Sequence, residues 1–111
     1  LAFLWHRTRA GLWLERRPLR GLWAGQWQLP GEEGPGAPAR LGDRFDVALG
    51  RRIAGVRHEL SHRVVMASVY APAAGARIVR RAQVRGFPDP LTAPLSGVAR
   101  RAIVAVIRKG G

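Results

Sequence analysis

The chain opens on large apolar residues. "LAFLWHR" at 1–7 alternates poorly but gathers Leu, Phe and Trp, which predicts a buried strand. "TRAG" at 8–11 reads as a turn, with Gly11 free to take a positive φ. "LWLER" at 12–16 is then the return strand of a hairpin. In "RPLRGLWAGQWQLPG" at 17–31, Pro18, Gly21, Gly25, Pro30 and Gly31 break any period. That stretch predicts a structured loop pinned by Trp23 and Trp27. "EEGPGAPARLG" at 32–42 has the composition of a flexible surface loop, spanning about 31–42.

The period changes at Asp43. Asp43 has the chemistry of an N-cap, with Asp46 at the capping-box position, and Leu41, Phe45 and Leu49 recur four apart. This predicts a short amphipathic helix ending near Gly50. In "IAGVRHELSH", Val56, His58 and Leu60 alternate with Arg57, Glu59 and Ser61, which is strand periodicity. "RVVMASVYAP" at 63–72 is rich in β-branched residues and closes at Pro72, so it predicts the next strand. "ARIVRRAQV" at 76–84 predicts a further one, and "GFPDPLTAPLSG" at 86–97 a Pro-rich loop. Ser96 is placed to cap a last helix whose apolar stripe is Val98, Ala99, Ala102, Ile103, Val106 and Ile107. The class is therefore α+β: a mixed or antiparallel sheet with two helices packed on it. No internal repeat is visible.

Composition adds a sign. The 111 residues carry 19 Lys+Arg against 7 Asp+Glu, a formal net charge of +12, and 47% are hydrophobic. That is a globular composition of single-domain length with a field that attracts polyanions, nucleic acid first among them. Cysteine is absent, which excludes disulfides and Cys-ligated clusters within these residues. The apolar runs are far shorter than a membrane span, so no membrane partner is expected. Leu1 is not a start methionine, and the expectation is one domain, 1–111, of a longer chain.

His58-Glu59-Leu60-Ser61-His62 matches H-E-x-x-H, the pattern of many zinc peptidases. Two such histidines share one metal only on a helix, and on a strand they stand roughly 13 Å apart. The strand periodicity here, and the single further histidine His6, weigh against a zinc site; no metal is expected. Ser61 and its neighbouring histidines have opposite strand parity, which also disfavours a hydrolytic triad. No catalytic residue is expected.

"LWLERRPLRGLWAGQWQLPG" resembles the sheet entry of Nudix hydrolases. Laid from Gly31, the motif G-x5-E-x7-R-E-U-x-E-E-x-G-U puts its first Glu on Ala37, its Arg on Phe45, the next Glu on Asp46, and its metal-binding Glu pair on Leu49 and Gly50. The carboxylates that hold Mg²⁺ in that chemistry are not in this frame. Arg17-Pro18, Gly21-Leu22-Trp23 and Trp27-Gln28-Leu29-Pro30, followed by His58-x-x-Ser61-His62, are similar to the C-terminal domain of MutY-type adenine DNA glycosylases, which is Nudix-like without the catalytic box. The resemblance implies a non-catalytic domain that recognises 8-oxoguanine opposite adenine in base excision repair. It implies duplex DNA and the N-terminal glycosylase domain of the same chain as partners. It implies a bacterial cytoplasmic, nucleoid-associated setting. No cofactor is implied in this part, and an iron–sulfur cluster is implied in the N-terminal part of the parent. On the matching positions, Ser61 is the lesion contact, His62 a base or phosphate contact, and Leu60 a wedge that replaces the family's Phe and so lacks aromatic stacking. Arg57, Arg63 and Arg20 are phosphate candidates, and Trp23 belongs to the same candidate set. The alternatives are a Nudix-fold hydrolase of an oxidised nucleoside diphosphate derivative, more remotely the zinc peptidase, and a basic protein-docking domain.

Overall fold

A computed structural model describes residues 1–18 and 24–110. Two sheets form. The first has the order β5-β1-β7-β6, from β1 (Ala2–Leu4), β5 (Gly31–Glu32), β6 (Leu49–Glu59) and β7 (Val64–Pro72). It is mixed: β1 runs parallel to β7, with Phe3 opposite Val69, and the other pairs are antiparallel. The second is antiparallel around β3 (Gly11–Arg16), which pairs with β2 (Arg7–Thr8), β4 (Trp27–Gln28) and β8 (Val84–Phe87). Helix α1 spans Ala37–Phe45, and α2 spans Gly97–Arg108. This is the α+β mixed and antiparallel architecture with two flanking helices that the pattern predicts.

Side-chain parity sorts the core into two halves. Phe3, Leu12 and Leu14 join Val69, Val98, Ala102 and Ile103 in one cluster beneath α2. Ala2, Leu4 and Trp13 point the other way and join Leu41, Phe45 and Val84 beneath α1. Both faces of β1 and β3 are therefore buried, as successive residues of a strand must be when helices cover both sides. That is why "LAFLWHR" alternates poorly.

Several elements depart from the sequence pattern. The opening strand divides: Ala2–Leu4 enters the first sheet, and Arg7–Thr8 forms the hairpin of the second. Gly11, at φ 114° in that hairpin, has no room for a Cβ, which would fall 2.2 Å from the Phe87 carbonyl carbon. The stretch 31–42 is not one loop. Gly31–Glu32 is a strand, and α1 starts at Ala37 with a Pro in its first turn and no side-chain cap. Asp43 lies near the end of this helix rather than at its start. Asp46, left-handed at φ 51°, terminates it. The shared face of Leu41 and Phe45 is retained, while Leu49 belongs to β6. The strand expected at 76–84 forms later, at Val84–Phe87. α2 follows its pattern except at its end: the Ser96 hydroxyl accepts a hydrogen bond from Ala99 N at 3.2 Å, and Val98, Ala99, Ala102, Ile103 and Val106 are buried, while Ile107 is 43% exposed.

Candidate functional site

Two charged regions flank the end of β3. The first lies beneath α1. Trp13 and Glu15 share one face of β3, so Glu15 is carried under the helix next to Phe45, where Arg44 meets it. Glu15 is 6% exposed. Its Oε1 accepts from Gly31 N at 2.9 Å and from Arg44 at 2.9 Å, and its Oε2 accepts from Arg44 at 2.6 Å. Arg44 also donates to the Gly31 carbonyl at 2.8 Å, and its Nε lies 3.0 Å from Glu32 Oε2. Burial by itself lowers the pKa of this guanidinium. The hydrogen bonds and charge of Glu15, with the charge of Glu32, outweigh that, and the pKa stands above its ordinary value. A cavity of about 440 Å³ opens beside the network, lined by Arg16, Arg17 and Gln83 as well. Two carboxylates and a positive charge are thus present, but the charge is supplied by the chain itself. Among the described residues, no three His, Cys, Asp or Glu gather to hold a metal.

The second region is the turn joining β6 to β7. β6 ends at Glu59 and β7 starts at Val64, with Glu59 opposite Val64 and His58 opposite Val65. Leu60 N donates to Arg63 O at 2.8 Å, closing a tight loop of Leu60, Ser61, His62 and Arg63. Ser61, His62 and Arg63 are exposed and Leu60 is half-buried. These four line one concavity of about 520 Å³ together with Arg17 and Glu33. Arg17 Nη2 lies 3.5 Å from Glu33 Oε1. Two apolar residues of β7 next to the loop, Val64 and Met66, are exposed, Met66 at 61%.

The sequence candidates separate accordingly. Leu60, Ser61, His62 and Arg63 come together. Arg57 does not join them: it projects from β6, pairs with exposed Glu59 at 3.3 Å, and borders the groove between β6 and α2. Arg20 and Trp23 lie outside the described residues. His58 is on a strand and His62 in the loop, so the H-E-x-x-H residues have no common helical face. His58 packs against the start of α2, where a Cβ on Gly97 would stand 3.0 Å from its Cε1. Trp5 and Trp13 are core residues, and half-buried Trp27 meets the Phe87 ring edge-on at 4.9 Å. Sequence reasoning missed Arg17 and Glu33 as neighbours of the loop. Both flank unpatterned segments, and only the pairing of β5 with β1 brings Glu33 across.

Comparison with known proteins places this geometry. The NUDIX domain family matches residues 1–105. No curated protein matches the chain. Among solved structures, the C-terminal domain of mouse MUTYH, crystallised in complex with human PCNA, is 18% identical with a TM-score of 0.68, over 98% of this chain and 87% of that one. The MutT NUDIX hydrolase from Burkholderia pseudomallei is 23% identical with a TM-score of 0.62, over 95% of each chain. The E. coli ORF135 protein is 16% identical with a TM-score of 0.63, over 99% of this chain and 87% of that one. At these identities the likeness is one of fold.

Proposed function

Because the chain belongs to the NUDIX domain family, we propose that it uses that fold for recognition rather than hydrolysis. Its ligand is duplex DNA containing 8-oxoguanine opposite adenine, read on behalf of an adenine DNA glycosylase domain of the same protein. The observation that carries this reading is the concavity shared by Leu60, Ser61, His62, Arg63, Arg17 and Glu33. Oxidation turns guanine N7 from an acceptor into an N–H donor and adds an oxygen at C8. Ser61 both donates and accepts, so its hydroxyl suits the new edge. The Glu33 carboxylate only accepts, so it favours N7–H and repels the lone pair of ordinary guanine. Arg17 offsets part of the cost of bringing that carboxylate near phosphates. Arg63 and the net charge of +12 supply sequence-independent attraction, which falls with added salt. Leu60 is the apolar residue available to wedge beside a base step.

The test is affinity for duplexes carrying 8-oxoguanine or guanine opposite adenine, across a salt series, with Ser61→Ala alongside. Preference for the lesion that drops in the variant is the expected result; an unchanged preference removes Ser61 from the role.

A second reading is hydrolysis of an oxidised nucleoside diphosphate derivative. The family match and the hydrolase-named neighbour favour it. So does the presence of two carboxylates, Glu15 and Glu32, beside a cavity under α1. Against it stands Arg44, which engages both carboxylates and would have to leave before a divalent cation entered. Robust Mg²⁺-dependent release of pyrophosphate or phosphate from nucleoside triphosphates would make this second reading the correct one.

A further inference from the structure

The groove between β6 and α2 has a character unlike either charged region. It encloses about 510 Å³, with an apolar floor of Val56, Val104 and Ala105 and arginines along its rims, among them Arg57, Arg101 and Arg108. Among the described residues, no acidic side chain lines it. Glu59, beyond the groove's lining, is well exposed and pairs with Arg57, a contact worth little in water. Nor does α2 carry an acid in its first turn. The groove is therefore a net positive surface around an apolar strip.

Its position on the sheet narrows what fits. β6 is the edge strand of its sheet, eleven residues long, and among the described residues it pairs only with β7. Val56 and Arg57 are consecutive, so they point to opposite faces of β6, yet both line the groove. The groove thus wraps the outer edge of the strand, where main-chain N–H and C=O groups have no ladder partner. Such an edge accepts an added strand.

We propose that this groove docks an extended acidic segment of a partner protein, paired to the outer edge of β6. Alternate side chains of the segment explain both surfaces. One set, apolar, rests on Val56, Val104 and Ala105; carboxylates in the other set meet Arg57, Arg101 and Arg108. The floor decides between anionic partners. A nucleic-acid backbone would use the arginines but leave the apolar strip unfilled, whereas an alternating peptide uses both and satisfies the strand edge.

Anisotropy titration of labelled eight-residue peptides tests this. The expected result is a Kd on the order of 10–100 µM for a peptide alternating Glu with Val and Leu. The affinity should drop about ten-fold or more when Ser replaces the apolar residues, and about ten-fold in Arg101→Glu/Arg108→Glu, whose side chains are exposed and outside the core. Bound peptide should also slow amide hydrogen exchange along β6. Equal binding of the Ser-containing peptide would reduce the surface to plain charge and overturn the proposal. So would indifference to the double charge reversal, unprotected β6 amides, or a double variant that loses duplex DNA while keeping the peptide.

Discussion

The two charged regions at the end of β3 have similar ingredients and opposite constructions. Beneath α1, a carboxylate that is 6% exposed has its hydrogen bonds filled by Arg44 and by Gly31 N. In the β6–β7 turn, a hydroxyl, an imidazole and a guanidinium project into water from a loop that the Leu60 N–Arg63 O hydrogen bond closes. The regions meet at Arg17, which lines both concavities. A buried charge must be paired to be tolerated, so the first region is committed to holding β3, β5 and α1 together. The second keeps its polar groups available. On the reading proposed above, the groups that meet the ligand are those of the turn.

The sharpest way to break that contrast is to remove the internal cation. Arg44→Met leaves Glu15 buried and uncompensated, and should lower stability by roughly 3 kcal/mol in urea denaturation. The double variant Arg44→Met/Glu15→Gln should recover part of the loss, because the stranded charge is gone. If the double variant were no more stable than the single, Glu15 would not be the group that Arg44 compensates. Ser61→Ala should behave in the opposite way. Its unfolding free energy should stay within about 0.5 kcal/mol of the parent, since the side chain is exposed. Its preference for 8-oxoguanine over guanine should drop about ten-fold, or about 1.4 kcal/mol. Glu33→Gln sharpens the comparison further. Losing a carboxylate should raise affinity for both duplexes, while the lesion preference falls by about three-fold, as an amide no longer discriminates donor from acceptor. A preference that rises with affinity would remove Glu33 from lesion reading.

The turn was legible in the sequence because its flanks alternate. Val56, His58 and Leu60 on one side and the β-branched run after Arg63 on the other predict two successive strands; the structure ends the first at Glu59 and starts the second at Val64, which opens 60–63 as the turn. The helix α2 was legible for a similar reason: Ser96, then a clean 3.6-residue stripe. The α1 network was not. Helix α1 starts at a left-handed Gly36 with no side-chain cap, and its Pro, Gly and Ala content imitates a loop. Asp43 carried the local signal of a cap, but burial of Leu41 and Phe45 placed it near the other end. Glu15 falls near the end of the strand read over 12–16. Only the cover of both faces of β3 turns it inward, and no local period reports that. Glu33 reaches the turn through β5–β1 pairing, a contact set by topology, and Arg17, just beyond β3, meets Glu33 there.

The smallest expected effect concerns a half-buried group with much weaker consequences than Arg44. His6 packs edge-on against Trp13 with ring centroids 4.6 Å apart, at the point where the chain passes from one sheet to the other. Burial lowers its pKa below the ordinary value. The unfolded chain therefore binds a proton more readily, and this residue's contribution to stability is complete above its unfolded pKa of about 6.5. That contribution is lost as the pH falls from there through the lower folded value. His6→Gln should flatten the slope of unfolding free energy between about pH 7 and pH 5. The lesion preference of the turn should not move with it, because His6 lines neither concavity. A slope that survives His6→Gln would assign the titration to another group. A lesion preference that shifts in that variant would show that the core beneath α1 and the turn are coupled, and the division between them would fail at the residue where it was expected to cost least.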